Sequence, residues 1–318
     1  MQIGKGVLSA ASLTLAERLV LTTAVALAAV NLIAIAWRGT PVVWFEYVAT
    51  LLFTGIVMLV GLFYRHTGRG DHLANTLIST GAFLLFTIAA SACTYQFLPI
   101  WRAPIDPWLM SIDGMLGFHW PDLLAFAADR PWLAETTRYA YMSSFFQFTL
   151  LVLVLGFSGR THELHVFMLA TVATTLMTIA FWGLFPSLGT TTVYAIDADV
   201  EARLRPIVGS SYGVELLRRA AEGPARISAQ DALGLVAAPS YHTVMALLAI
   251  YAAWTIPYLR VGALVLNLTI LPGVLIHGGH HLVDVFAGAI VTVLGIAAAQ
   301  AMLRASRAEL QPVAVPAS

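Results

Sequence analysis

Eight stretches of mostly apolar residues, each bounded by charge, Pro or Gly, constrain this chain more than any other feature. Each is roughly as long as the 20 residues a helix needs to cross a hydrocarbon core of about 30 Å. They fall at approximately 18–36, 43–64, 74–97, 139–158, 164–185, 241–258, 261–277 and 281–303. The first ends in Ala36-Trp37-Arg38-Gly39, and it is long for a cleaved apolar region that should end in small residues, so it reads as a retained span. The expected fold is an all-α integral membrane protein of about eight transmembrane helices, with short interfacial helices on the extracytoplasmic side. Composition agrees: hydrophobic residues make up 59% and charged residues 11%, against about 45–50% and 25% in soluble domains.

Charge bounds function and orientation. Seventeen basic residues balance seventeen acidic ones and Lys5 is the only lysine, so no basic field is available to hold nucleic acid by its phosphates. The single cysteine, Cys93, excludes an internal disulfide and cysteine-rich metal centres. With both termini inside, the cytoplasmic face carries Lys5, Arg18, Arg65, Arg69, Arg160, Arg260, Arg304 and Arg307. The short outer loops then offer only Arg38, as the positive-inside rule requires. Segments 98–138 and 186–240 and the turn 277–281 fall outside, which in a bacterial inner membrane means the periplasm.

Segment 98–138 interleaves Trp101, Trp108, Trp120 and Trp132 with Pro104, Pro107, Pro121 and Pro131. Tryptophan spread through short helical pieces points to elements lying along the outer interface, either as an anchoring belt or as a lip that guides a headgroup sideways into a site. Residues 1–138 are read as a three-span N-terminal region with this segment. Residues 139–318 are read as a catalytic core with the external loop 186–240.

The chemistry-bearing residues cluster at the outer starts of two spans. The stretch beginning at 241 is preceded by Pro239-Ser240 and opens with Tyr241-His242-Thr243. Proline suits a first helical turn, and the unpaired amides behind it make a natural phosphate seat, to which Ser240 adds a hydroxyl and His242 a titratable proton. The last stretch opens with His277-Gly278-Gly279-His280-His281-Leu282-Val283-Asp284. On a helix His280 and Asp284 are i and i+4, so the carboxylate lies one turn from the imidazole. It can fix the tautomer and leave the other ring nitrogen free as base or nucleophile. A carboxylate inside a membrane segment is itself a sign of function.

These residues resemble the membrane-bound type 2 phosphatidic acid phosphatase superfamily. Phe185-Pro186 ending a span, Gly234-Leu235-Val236 before the Pro-Ser-x-His-Thr motif, and His-x-x-x-Asp without a leading arginine resemble its inositolphosphotransferase and sphingolipid-synthase branch. The resemblance covers about 100 residues, 185–290. It implies a lipid phosphotransferase in which His280 attacks phosphorus to give a phosphohistidine. Asp284 would orient that ring, and His242 would protonate the leaving oxygen and then deprotonate the acceptor. Ser240, Tyr241 and Gly279 would sit around the phosphate, and no metal or other cofactor is required. The partners implied are a lipid substrate drawn from the bilayer and a phosphate or phospho-headgroup. A phosphatase acting through the same residues is the alternative.

Departures from the superfamily pattern are specific. The lysine six residues ahead of Arg205-Pro206 is Ala198, the arginine six before the nucleophilic histidine is Val274, and the glycine of Pro-Ser-Gly-His is Tyr241. Arg205 and Arg203, and after them Arg138, are left to compensate the phosphate oxygens. Two other classes are carried beside this one. His277-x-x-His280-His281 formally matches one histidine box of di-iron desaturases, but His66, His72, His119, His162 and His165 form no second box. A transporter or flippase would be expected to show paired broken helices in repeated halves, and no repeat is visible.

Overall fold

A computed structural model describes residues 13–229 and 234–309. The described residues are helical, with no strand; one isolated bridge pairs Val42 with Ile227. Three long helices come first: α1 (Leu15–Arg38), α2 (Trp44–Thr67) and α3 (Asp71–Tyr95). Local signals set their ends. Thr14 accepts from the Glu17 amide while Glu17 accepts from the Thr14 amide at 2.8 Å, a capping box that starts α1. Gly39 and Gly68, both with φ near +65°, close α1 and α2, as a left-handed C-cap favours.

The external segment then forms α4 (Asp106–Met115) and α5 (Trp120–Ala128), and α6 (Pro131–Met142) runs directly into α7 (Ser144–Phe157). Each of α4, α5 and α6 carries a proline in its first turn, where no amide hydrogen is needed. After α8 (Thr161–Leu184) come a 3-10 turn (Thr190–Thr192), α9 (Ala198–Leu204) and α10 (Ser210–Glu222). The chain ends with α11 (Tyr241–Trp254), α12 (Arg260–His277) and α13 (Leu282–Glu309).

Among the described residues, six helices are long and apolar enough to cross a membrane: α1, α2, α3, α8, α12 and α13. The stretch expected as one span over 139–158 is divided between α6 and α7, which meet at 47° and make a seventh only if the pair is counted as one broken span. Ser143 and Ser144 lie at the bend. Both hydroxyls turn back onto carbonyls of the preceding turn, Ala140 at 2.6 Å and Tyr141 at 2.7 Å, a bond that bends helices. The stretch 241–258 yields 14 helical residues, about 21 Å at 1.5 Å per residue. The last helix begins at Leu282, so His281 lies in the turn before it.

Helices α3 and α8 are central: 61% and 67% of their most apolar windows are buried, against 17% and 11% for α1 and α2. Phe83 and Phe86 of α3, Phe167 of α8 and Phe148 of α7 form the core with Leu248 and Ala249 of α11. Trp101, Trp108 and Trp132 are exposed, as an interface belt would have them, but Trp120 is fully buried. Its indole nitrogen donates to the Leu275 carbonyl at 2.7 Å, so this tryptophan locks α5 onto α12 instead of anchoring the surface. His162 and His165 belong to the first two turns of α8.

Candidate functional site

Ser240 is the N-cap of α11, and its hydroxyl accepts from the Thr243 amide at 3.4 Å. The amides of Tyr241 and His242 find no backbone partner among the described residues, so they form the free donor end that the sequence motif implied. Helix α13 is tied to this cap, because the Ser240 amide donates to the Asp284 carbonyl at 3.0 Å. The starts of α11 and α13 therefore sit side by side.

Within the turn, His280 Nδ1 lies 3.4 Å from Asp284 Oδ2, and the His281 amide donates to the same oxygen at 2.9 Å. That contact favours the proton on Nδ1 and leaves Nε2 with its lone pair. Asp284 is fully buried, and its Oδ1 has no hydrogen-bond partner among the described residues. The His242 ring is stacked on Tyr141 with centroids 4.1 Å apart and faces the His280 ring across 6.4 Å. Both imidazoles line a cavity of about 50 Å³ with Tyr141, Tyr212, Gly234 and Gly278. At about 10–15 Å³ for each water-sized group, it has room for the oxygens of one phosphoryl group.

Backbone freedom is used where the turn closes. Gly279 has φ +64° and Gly189 has φ +93°, a region L side chains rarely adopt. A Cβ on Gly189 would run into the Gly279 carbonyl. That carbonyl accepts from the Thr190 amide at 2.8 Å, while the Gly279 and His280 amides have no backbone partner among the described residues.

The other sequence-assigned residues lie elsewhere. The Tyr241 hydroxyl bonds Thr175 at 2.5 Å, and the ring faces a second cavity. Arg203 is exposed and paired with Asp129 at 2.6 Å and Asp199 at 2.9 Å. Arg205 is 76% exposed, with Glu135 at 3.8 Å. Arg138 donates to the carbonyls of Leu204 and Arg205. None of these three arginines lines the cavity at His280. His277 is buried, with Nε2 2.9 Å from the Ala134 carbonyl and 3.2 Å from Thr137. Among the described residues, no three His, Cys, Asp or Glu side chains are grouped to hold a metal ion.

Sequence reading missed Asp106, Asp113 and His281. Asp106 gathers Ser187 Oγ at 2.8 Å and the amides of Leu188 at 2.8 Å and Gly189 at 2.6 Å. Asp113 accepts from the first amides of α13, Leu282 at 3.0 Å and Val283 at 3.1 Å, the favoured place for a carboxylate at a helix start. Between them His281 is fully buried, its Nδ1 3.2 Å from Asp113 and its Nε2 3.6 Å from Asp106. Burial opposes charge on this ring, but the two carboxylates outweigh it and raise its pKa to about 9. One sequence signal was available: acids seven residues apart on a helix share a face.

The second cavity, of about 320 Å³, lies between α3, α7, α8 and α11 and is mostly apolar. It shares Gly234, Val236 and His242 with the first. No curated protein and no solved structure matches the chain. A sequence profile of the PAP2 superfamily matches residues 107–298, from the second residue of α4 into the last helix. With a match over more than half its length, the chain belongs to the PAP2 superfamily, whose members act as phosphatases or phosphotransferases on phosphate esters.

Proposed function

We propose that the protein is a membrane-embedded lipid phosphotransferase that moves a phosphoryl or phospho-headgroup through a phosphohistidine. The observation that carries this reading is that His280, backed by Asp284, and His242 face each other across one small cavity. Nε2 of His280 attacks phosphorus, the P–O bond to the leaving alcohol breaks, and His242 gives that oxygen its proton. The acceptor hydroxyl then loses its proton to His242 and attacks phosphorus, and the N–P bond breaks to restore His280. Dividing one displacement in two lowers each barrier, and an acid–base imidazole contributes about 10²–10⁴-fold. The adjoining apolar cavity supports a lipid as the alcohol, and the motifs without a leading arginine support the inositolphosphotransferase and sphingolipid-synthase branch. With water as acceptor the same residues would act as a phosphatase, the second reading.

In this reading α6 with α7 and the short α11 also traverse the bilayer, giving eight passes. Both termini are cytoplasmic, and α4, α5, α9 and α10 lie along the outer interface, periplasmic in a bacterial inner membrane. The test is phosphoenzyme trapping on purified protein with EDTA present. His280→Ala should form no acid-labile phosphoenzyme. His242→Ala should retain some when the leaving group needs no proton. Full turnover of a poor leaving group by His242→Ala would remove it as the general acid.

A further inference from the structure

We propose that the site selects a singly charged phosphodiester over a doubly charged phosphomonoester, an inference that rests on the phosphoryl-transfer reading above. Its basis is the charge around the place the phosphorus must occupy. No lysine or arginine lines the cavity at His280 among the described residues, and residues 230–233, next to the lining Gly234, contain none. Four arginines of the external segment pair with carboxylates outside this lining: Arg203 with Asp129 and Asp199, Arg205 with Glu135 at 3.8 Å, Arg218 with Glu215 and Glu222, and Arg219 with Glu215 at 2.6 Å.

The titratable groups facing the cavity are His242 from α11, His280 from the turn, Tyr141 from α6 and Tyr212 from α10. Burial pushes Tyr212 up to about 12, so it remains a neutral hydroxyl, here bonded to Gly234. Behind the histidines stand three buried carboxyl groups, Asp284, Asp106 and Asp113, and His281 is the one imidazole between the last two. The formal charge of this layer is negative. A second negative charge on the substrate would meet unpaired amides and the one proton that His242 must pass to the leaving oxygen, but no lysine or arginine, and a partly desolvated charge without a lasting partner is strongly disfavoured. Esterifying that oxygen removes the charge. The same geometry would accept a monoester only after it takes up a proton, which occurs at a second pKa of about 6.

The experiment compares two dioleoyl lipids that differ by one methyl group, phosphatidylmethanol and phosphatidic acid. Initial rates of diacylglycerol release by the full chain in detergent are measured from pH 5 to pH 8. The same enzyme groups act on both lipids, so the ratio of kcat/KM values isolates the substrate's charge. The expected ratio favours the diester by tenfold or more at pH 8. It should fall by about tenfold per pH unit towards pH 6 and level off below, following the monoester's second ionisation near 6. A monoester turned over as well as the diester at pH 8, or a ratio indifferent to pH, would overturn the proposal. Val208→Arg, which places a cation on the cavity wall beside Gly279, should shift the pH 8 ratio at least tenfold towards phosphatidic acid. A folded variant with an unchanged ratio would count equally against it. If neither lipid released diacylglycerol and no phosphoenzyme formed, the phosphoryl-transfer reading itself would fall, and this inference with it.

Discussion

In the N-terminal helices the buried charges are Glu17 and Arg65, joined by two hydrogen bonds of 2.7 Å and extended to Asn75 at 2.6 Å. Behind His280, by contrast, Asp284, Asp106 and Asp113 are buried with imidazoles as their side-chain counter-groups, and Asp284 Oδ1 and His281 Nε2 make no hydrogen bond among the described residues. The first arrangement compensates charge fully and fastens α1, α2 and α3 together at one end. The second leaves polar capacity unspent beside a cavity. Volume alone would mislead here: a crevice of about 360 Å³ between α1, α2 and α3 exceeds the histidine cavity, yet its lining is almost wholly apolar. Buried polarity marks chemistry only where it is incompletely paired and reachable by a ligand.

The comparison is broken most severely at Asp284. Asparagine keeps an oxygen for the His281 amide but cannot stabilise an imidazolium, and the same change in a serine protease triad costs about 10⁴ in kcat. Turnover of Asp284→Asn should fall by about that order with little change in Tm. A variant that melts early yet keeps normal turnover per folded molecule would make Asp284 structural.

Glu17→Gln should show the reverse pattern. It strands Arg65 without its anion, at a cost of about 3–5 kcal/mol, while turnover per folded molecule stays within about twofold. Replacing both by leucine should recover most of the lost stability, since well-packed apolar pairs often match buried ion pairs. Thermal melts and single-turnover assays on the same preparations would show whether the N-terminal pair is purely structural.

A smaller effect is expected at Asp113, which touches both behaviours. Asp113→Asn weakens charge-assisted bonds to two amides and to His281, about 1.5–3 kcal/mol together, and should lower kcat by about tenfold through misplacement of the turn. Because the folded His281 pKa is raised from 6.5 to about 9, its contribution is fully present below pH 6.5 and is lost as pH rises through 9. Wild-type Tm should decline across that window, and Asp113→Asn should decline less. An identical decline in both would remove the His281 pairing as its cause.

The smallest perturbation sharpens the geography. In a Cys93→Ser background, a cysteine at the exposed Ala202 should react with an impermeant maleimide on intact cells, and one at the exposed Ser158 should not. The reverse pattern would invert the orientation.

By itself the sequence determined the features that are encoded locally. Apolar length placed six membrane-scale helices to within a few residues; the four-residue spacing did bring Asp284 to 3.4 Å from His280, but through the turn before α13 and not along a helix as expected. Pro239-Ser240 marked a capped helix start. The tertiary structure decided what depends on groups far apart in the chain. Asp113 meets His281 across 168 residues and Asp106 meets Gly189 across 83, contacts that no local period announces. The destination of Arg203 was equally illegible, because an arginine's partner is set by whichever carboxylate packing brings near, here Asp129. Trp120 reads like its three exposed neighbours until the fold buries it against Leu275. Burial of a side chain is a property of its surroundings, and those surroundings exist only once the helices have packed.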